Sequence, residues 1–261
     1  MFKDNQNLLN FANQLAWDAG KVTLKYFQTN LNIDLKSDNS PVTNADRETE
    51  IFLRDSIKTT YPTHGILGEE FEEKLGNSSY RWILDPIDGT KSFIRGVPLY
   101  SVTIALEREG VPILGVINFP AMKDIVYAAS GLGCWWNGRR CRVSQTQTLD
   151  KSLVLASLAK GYRPDGQQIA YEKLLAVSGM FRTWGDSYGY ALVATGRAEV
   201  MFDPSIKIWD AAPLLPILQE AEGTFTDWDG NATIYGNTGL ATNGQLLQAV
   251  LHIMKINNTD S

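Results

Sequence analysis

Two histidines and two cysteines are all that this 261-residue chain offers of the side chains that bind zinc or attack as soft nucleophiles. Their scarcity excludes a disulfide-stapled scaffold and leaves no cluster with zinc-ligand spacing. Basic residues are no more plentiful than acidic ones: 24 Lys+Arg face 29 Asp+Glu, for a formal charge of −5. A nucleic-acid surface carries a basic stripe, so no nucleic-acid partner is expected, and mild acidity suits small ligands or cations better. No apolar run approaches the roughly 18 residues of a membrane span. The longest candidate, Val111–Phe119, has strand length, and no membrane partner is expected. The N-terminal MFKDNQNLLNFANQ lacks the uninterrupted apolar core of a signal peptide, so the expected location is cytoplasmic. Repeats and low-complexity tracts are missing as well.

What remains is globular material, 44% apolar and 20% charged. Leu8, Phe11, Ala12, Leu15, Ala19, Val22 and Tyr26 recur at spacings of three and four and predict an amphipathic first helix. A polar stretch, Lys36 to Pro41, breaks any helix. Thr43 followed by Asp46 predicts a capped helix running to Pro62, with Asp46 in its first turn. Short β-branched segments at Arg81–Leu84, Ser101–Leu106, Ile113–Phe119 and Ile125–Ala129 predict strands. Cys134 to Cys141 predicts a hairpin turning at Asn137-Gly138, with the cysteines opposite one another. A Cα separation of about 5.5 Å would permit a disulfide there, although a reducing compartment disfavours it. After Ser152 strands and helices alternate, with helices expected at Gln167–Val177, Tyr188–Ala194 and Ala211–Ala221. The pattern is a mixed α/β layered protein in two lobes, 1–145 and 146–261. The tryptophans are scattered, so Trp135-Trp136 on the hairpin is read as core or subunit interface and not as a base-stacking platform.

The densest chemistry lies in Trp82-Ile83-Leu84-Asp85-Pro86-Ile87-Asp88-Gly89-Thr90. A buried strand would deliver Asp85 to its end, with Pro86 and Gly89 enforcing a tight turn. Two carboxylates about 4 Å apart repel by about 4 kcal/mol at an effective dielectric near 20, and a divalent cation removes that repulsion. Oxygen ligands select Mg²⁺, Ca²⁺ or Mn²⁺ over zinc. The amides of Gly89 and Thr90 could hold a phosphate. A solvated Asp-Pro/Asp-Gly turn is the plain alternative. Glu69 and Glu70 likewise read as part of a solvated acidic run, Asp210 as a helix N-cap, and Asp46 as a first-turn carboxylate.

Taken together and in order, Asp46, Gly68-Glu69-Glu70, Asp85-Pro86-Ile87-Asp88-Gly89-Thr90 and Trp209-Asp210 resemble the inositol monophosphatase superfamily of metal-dependent phosphatases. Lys36-Ser37-Asp38-Asn39-Ser40-Pro41-Val42-Thr43 also looks like that family's N-terminal segment, so the likeness spans nearly the whole chain. The resemblance implies a layered αβαβα sandwich of the inositol monophosphatase / fructose-1,6-bisphosphatase type. It also implies two or three Mg²⁺, a small phosphate monoester as substrate, and a homodimer. Glu69, Asp85 and the Ile87 carbonyl would hold one ion, and Asp85, Asp88 and Asp210 a second, with a weaker third near Glu69. Asp46 and Thr90 would orient and deprotonate the attacking water, while Asp88, Gly89 and Thr90 meet the phosphate. The lobe over 1–145 would then bind metal, and that over 146–261 would choose the substrate.

Substrate choice turns on further motifs. Lys91-Ser92-Phe93-Ile94, Pro98-Leu99-Tyr100 and Gly185-Asp186-Ser187-Tyr188-Gly189-Tyr190 look like the histidinol-phosphate phosphatase branch. Histidinol carries an ammonium and an imidazole, which suit an anionic and aromatic pocket. Asp186, Asp203 and Tyr188 are the expected substrate contacts. Helix packing remains open for Tyr188 and Tyr190, and N-capping for Asp186. Rival substrates are inositol 1-phosphate and, further off, 3′-phosphoadenosine 5′-phosphate. The rival class, a binding homologue without turnover, is opposed by the intact carboxylate set and Thr90. Two departures stand out: Asp203 is shorter than the Glu that relatives often place there, and Ala221-Glu222-Gly223 replaces Ala-Gly-Gly.

Overall fold

A computed structural model describes residues 2–157 and 167–255. The first half runs α1 (Phe2–Leu24), β1 (Ile33–Leu35), β2 (Pro41–Thr43), α2 (Asn44–Thr60), β3 (Gly65–Gly68), β4 (Tyr80–Asp88), α3 (Thr90–Phe93), β5 (Ser101–Arg108), β6 (Val111–Phe119), β7 (Asp124–Ala129), β8 (Gly133–Trp136) and β9 (Arg139–Arg140). The second runs β10 (Leu153–Ala156), α4 (Gln167–Val177), β11 (Met180–Arg182), α5 (Asp186–Ala194), β12 (Val200–Asp203), α6 (Ile208–Glu220), β13 (Thr224–Thr226), β14 (Gly239–Thr242) and α7 (Leu247–Lys255). Strands β3 to β9 form a seven-stranded sheet in sequence order, antiparallel except where β3 joins β4. A five-stranded sheet is ordered β11-β10-β12-β14-β13.

Side-chain alternation along the strands decides the layering. Trp82, Leu84, Val102, Ile104 and Val116 face α1 and α2, where they bury Leu15, Ala19, Leu53 and Ile57. Their neighbours Ile83, Ala105, Ile117 and Val126 face the other way, onto α5 and α6. The second sheet repeats the logic, with Leu155, Met201 and Ala241 turned to the middle layer. Val154, Val200 and Phe202 turn outward to α4 and α7. The result is the αβαβα sandwich expected from the sequence. Truncating a fully buried side chain such as Leu53 to alanine costs about 2–5 kcal/mol.

Helix α6 lies between the sheets, touching β4 to β8 on one side and β13 on the other. It starts three residues earlier than its apolar pattern suggests, which places Trp209 and Asp210 inside the first turn. It ends in a Schellman motif, with Glu222 N–H bonded to Gln219 O at 3.0 Å and Gly223 N–H to Leu218 O at 2.8 Å. That geometry forces Glu222 to a φ of 67°, where the resembling family usually has glycine. The departure is therefore tolerated at a cost in backbone strain.

The β8–β9 hairpin has the expected register, Trp136 opposite Arg139 and Trp135 opposite Arg140. Cys141 N–H donates to Cys134 O at 3.0 Å, and the two cysteines are buried free thiols with sulfurs 3.4 Å apart. The Trp135 and Trp136 rings are half-buried and covered from within the chain, by Arg140 and Arg197 respectively. No helix among the described residues is long and apolar enough to cross a membrane.

Candidate active site

The ladder between β4 and β5 fails where the acids begin. Asp85 pairs with Thr103, the register slips, and pairing resumes only at Asp88 opposite Ser101. Pro86 has no N–H for the ladder, and the Ile87 amide turns back to Asp85 Oδ1 at 2.9 Å. The expected tight turn at Pro86 is thus corrected: the strand continues as a bulge, and reversal waits until Gly89, with φ of 83°. The bulge lets both carboxylates reach one point. One oxygen each of Asp85, Asp88 and Asp210 lie within 4.8 Å of one another.

Asp210 reaches that point from the first turn of α6, where its Oδ2 accepts the Lys207 N–H at 3.1 Å. Pro213, inside the helix, cannot donate to the Trp209 carbonyl four residues back. Thr103 Oγ1 donates to it instead, at 3.3 Å. Since Thr103 is also the ladder partner of Asp85, one hydroxyl ties the turn bearing Asp210 to the strand bearing Asp85.

Burial, and then the charges of Glu69, Asp210 and Asp88, push the Asp85 carboxyl well above its ordinary range. Burial and the neighbouring Asp88 do the same to Asp210. Asp88 is raised by burial too, against the pull of Ser187, whose N–H it accepts at 2.7 Å. Among the described residues no lysine or arginine forms an ion pair with these three. With Asp85 and Asp88 buried and Asp210 half-buried, this acidic, oxygen-only set fits a hard divalent cation.

Of the other expected residues, Glu69, Ile87, Gly89, Thr90 and Asp186 line, with these three acids, a cavity of about 460 Å³. Glu69 Oε1 accepts from Lys36 Nζ at 2.6 Å, and the same ammonium reaches Glu70 Oε1 at 2.7 Å. These two acids are therefore held at the site and are not a solvated run. Asp46 is buried in the first turn of α2, with Oδ2 accepting the Thr43 amide at 2.8 Å and hydroxyl at 2.6 Å in a capping box. Its Oδ1 faces Thr90 Oγ1 at a long 3.5 Å, while that hydroxyl donates to the Ile87 carbonyl at 3.0 Å. Burial raises the Asp46 carboxyl, and the Thr43 hydrogen bonds hold it back.

A second cavity of about 350 Å³ shares Asp88, Lys91, Asp186 and Asp210 with the first and extends to Asp203, Tyr190 and Ser157. Asp186 opens α5 at a φ of 53°, an uncommon conformation for a residue other than glycine. Gly185 holds the cap position and has no side chain to offer, and the Asp186 N–H goes to Ser157 Oγ at 2.9 Å. Its carboxyl makes no hydrogen bond among the described residues; burial and the nearby Asp88 and Asp203 push it up to about 8. Asp203 is already engaged, accepting from Tyr190 OH at 2.9 Å and Ser157 N–H at 3.3 Å. Tyr188 needs correction as a substrate contact. It lines neither cavity and packs edge-on against Phe119, centroids 5.6 Å apart.

A family model described as the inositol monophosphatase family matches residues 4–258. The chain belongs to the inositol monophosphatase family. Members of this family are metal-dependent phosphoric monoester hydrolases, and its Asp85–Asp88–Asp210 cluster can hold a metal ion. The chain is 43% identical over 235 residues to a histidinol-phosphatase of Chlorobaculum parvum, covering 90% of this chain and 91% of that one. It is 32% identical to an inositol-1-monophosphatase of Mesorhizobium japonicum, covering 94% of each. Among solved structures, the extragenic suppressor protein SuhB of Bartonella henselae superposes with a TM-score of 0.89 at 30% identity, over 95% of this chain and 98% of that one.

Several residues of this family member's site escape sequence reasoning. Lys36 opens the segment that resembles the family's N-terminal motif, but its ties to acids 33 and 34 residues away show only in the structure. Ser187 acts through its amide, which no side-chain pattern reveals. Thr103 reads as one more β-branched strand residue.

Proposed function

We propose that this protein hydrolyses L-histidinol phosphate to L-histidinol and phosphate with Mg²⁺. In this reading Glu69, Asp85 and the Ile87 carbonyl hold one ion, and Asp85, Asp88 and Asp210 a second, with a weaker third near Glu69. Bound there, the ions supply positive charge to the phosphoryl oxygens and acidity to the attacking water. The chain supplies alignment, which is most of what phosphoryl transfer requires. Thr90 Oγ1 orients the water against the Ile87 carbonyl, and Asp46 Oδ1 is the place for its proton. The amides of Gly89 and Thr90 steady the non-bridging oxygens. Segment 1–145 serves the metals and 146–261 the substrate, with Asp210 crossing between them. A homodimer in the cytoplasm completes the proposal.

The single observation that carries the substrate is the Asp186 carboxyl. It has no hydrogen-bond donor among the described residues in the cavity beyond Asp88, where the ammonium of an amino alcohol phosphate would add a positive charge to that of the nearby Lys91. Greater identity to a relative named histidinol-phosphatase than to one named inositol-1-monophosphatase points the same way. The test is kcat/KM with Mg²⁺ for histidinol phosphate beside inositol 1-phosphate. A preference of about a hundredfold or more, about 2.7 kcal/mol in transition-state binding, supports the assignment. The reverse preference discards it and leaves the metal chemistry standing.

A further inference from the structure

Behind the site lies an acid–base pair that the chemistry above does not use. Glu50 and Arg54 follow Asp46 at intervals of four on α2, so the three share one face of the helix. Glu50 is wholly buried and Arg54 nearly so. Glu50 Oε1 accepts from Arg54 Nε at 2.6 Å, and its Oε2 accepts the backbone N–H of Glu70 at 2.7 Å. Arg54 Nη2 continues to the Phe71 carbonyl at 2.9 Å. Gly68 contributes by what it lacks, because a Cβ there would stand 2.1 Å from Glu50 Oε1. The carboxylate thus fills the space that any other residue would take at the start of Gly68-Glu69-Glu70.

A buried ion pair is a weak source of stability, since an apolar pair of similar volume often does as well. This pair instead does something directional. Its charged acceptor and charged donor grip the backbone on the far side of Glu69. Because the grip comes from the helix that carries Asp46, it fixes Glu69 relative to Asp46.

We infer that Glu50, backed by Arg54, is a positioning residue that sets cation affinity by holding Glu69 in place. The inference rests on the metal-dependent reading of the site. Its test is Glu50→Gln, which keeps the shape but removes the charge and turns an amide toward Arg54. The half-saturating Mg²⁺ concentration is read twice, from activity and from the Mg²⁺-dependent rise in thermal midpoint of the substrate-free protein. Both should weaken about tenfold to a hundredfold, as when an outer-shell partner of a ligand is lost. The kcat at saturating Mg²⁺ should fall by a smaller factor, and Glu50→Asp, which restores the charge one methylene short, should recover part of the affinity. A lower thermal midpoint in chelator with unchanged Mg²⁺ constants would overturn the inference and leave the pair a packing feature. Should Glu50→Gln not fold, Arg54→Lys carries the same test, since it keeps the positive charge and loses the Phe71 contact. Weaker Mg²⁺ constants support the inference there, and unchanged ones sink it. Failure of the underlying metal reading looks different: the unaltered protein would itself show no response to Mg²⁺.

Discussion

Glu50 and Glu107 are buried about as deeply as Asp85 and Asp88, yet each of the glutamates meets an arginine. Arg54 stands 2.6 Å from one and Arg81 2.7 Å from the other. Burial raises the carboxyls of both Glu50 and Asp85, but Arg54 pulls Glu50 back, whereas the charges of Glu69, Asp210 and Asp88 push Asp85 further up. Burial alone therefore does not explain the acid cluster. At Glu50 and Glu107 the chain supplies a cation from within. At the convergence of Asp85, Asp88 and Asp210 it supplies none among the described residues, and a bound cation would fill that place. Glu69 lies between these extremes, paired with a partly exposed Lys36.

Asp85→Asn breaks the contrast most sharply. Turnover should fall by about 10³-fold or more, the loss of several kcal/mol of metal-borne stabilisation. In chelator the same variant should be more stable than the parent by about 1–4 kcal/mol, because one repelling charge is gone. Paired activity assays and melting curves check both signs, and a variant that is less stable in chelator would refute the electrostatic account. On the compensated side the sign reverses. Arg81→Met should cost about 1–3 kcal/mol by leaving Glu107 with Tyr235 as its remaining partner, and should leave the Mg²⁺ requirement unchanged. Denaturant melts with and without Mg²⁺ decide that point.

Asp186 has Lys91 nearby, and a second counter-charge would arrive with the substrate. Asp186→Asn should lower kcat/KM for histidinol phosphate about tenfold to a hundredfold, while inositol 1-phosphate changes by less than about threefold. Equal losses would mean that Asp186 serves only its helix. The smallest effect concerns a base. His64 Nδ1 accepts the Trp82 indole N–H at 3.1 Å, and burial, with Lys74 nearby, lowers its pKa. A depressed pKa gives stability that is present above the unfolded value, near 6.5, and is lost as pH falls toward the folded one. The stability cost of His64→Asn should therefore shrink between pH 7.5 and pH 5.5, as thermal midpoints across that range will show.

What the sequence makes legible here is local. Thr43 and Asp46 are three residues apart, and their capping box is written in that spacing. Trp82, Ile83 and Leu84 are consecutive apolar residues that predict a buried strand, and the strand is buried on both faces. Asp85 and Asp88 are recognisable because proline and glycine flank them. What stays hidden depends on long-range contact. Tyr188 and Tyr190 are indistinguishable by pattern, and the phase of α5 against its neighbours decides that Tyr190 meets Asp203 while Tyr188 meets Phe119. The bulge after Asp85 depends on β5, whose register no turn residue sets. Glu222 shows the converse: the sequence departs from glycine, the turn persists, and the backbone takes the strain.

The placement of α6 has a consequence for how the molecule assembles. Asp85 and Asp88 belong to the first sheet, and Asp210 joins them from a helix wedged between the two sheets. The full repulsion of the cluster therefore exists only once the middle layer has docked, after a long stretch of chain has been closed. A divalent cation would act on the closing of the sandwich, slowing its reopening more than it speeds the formation of either half.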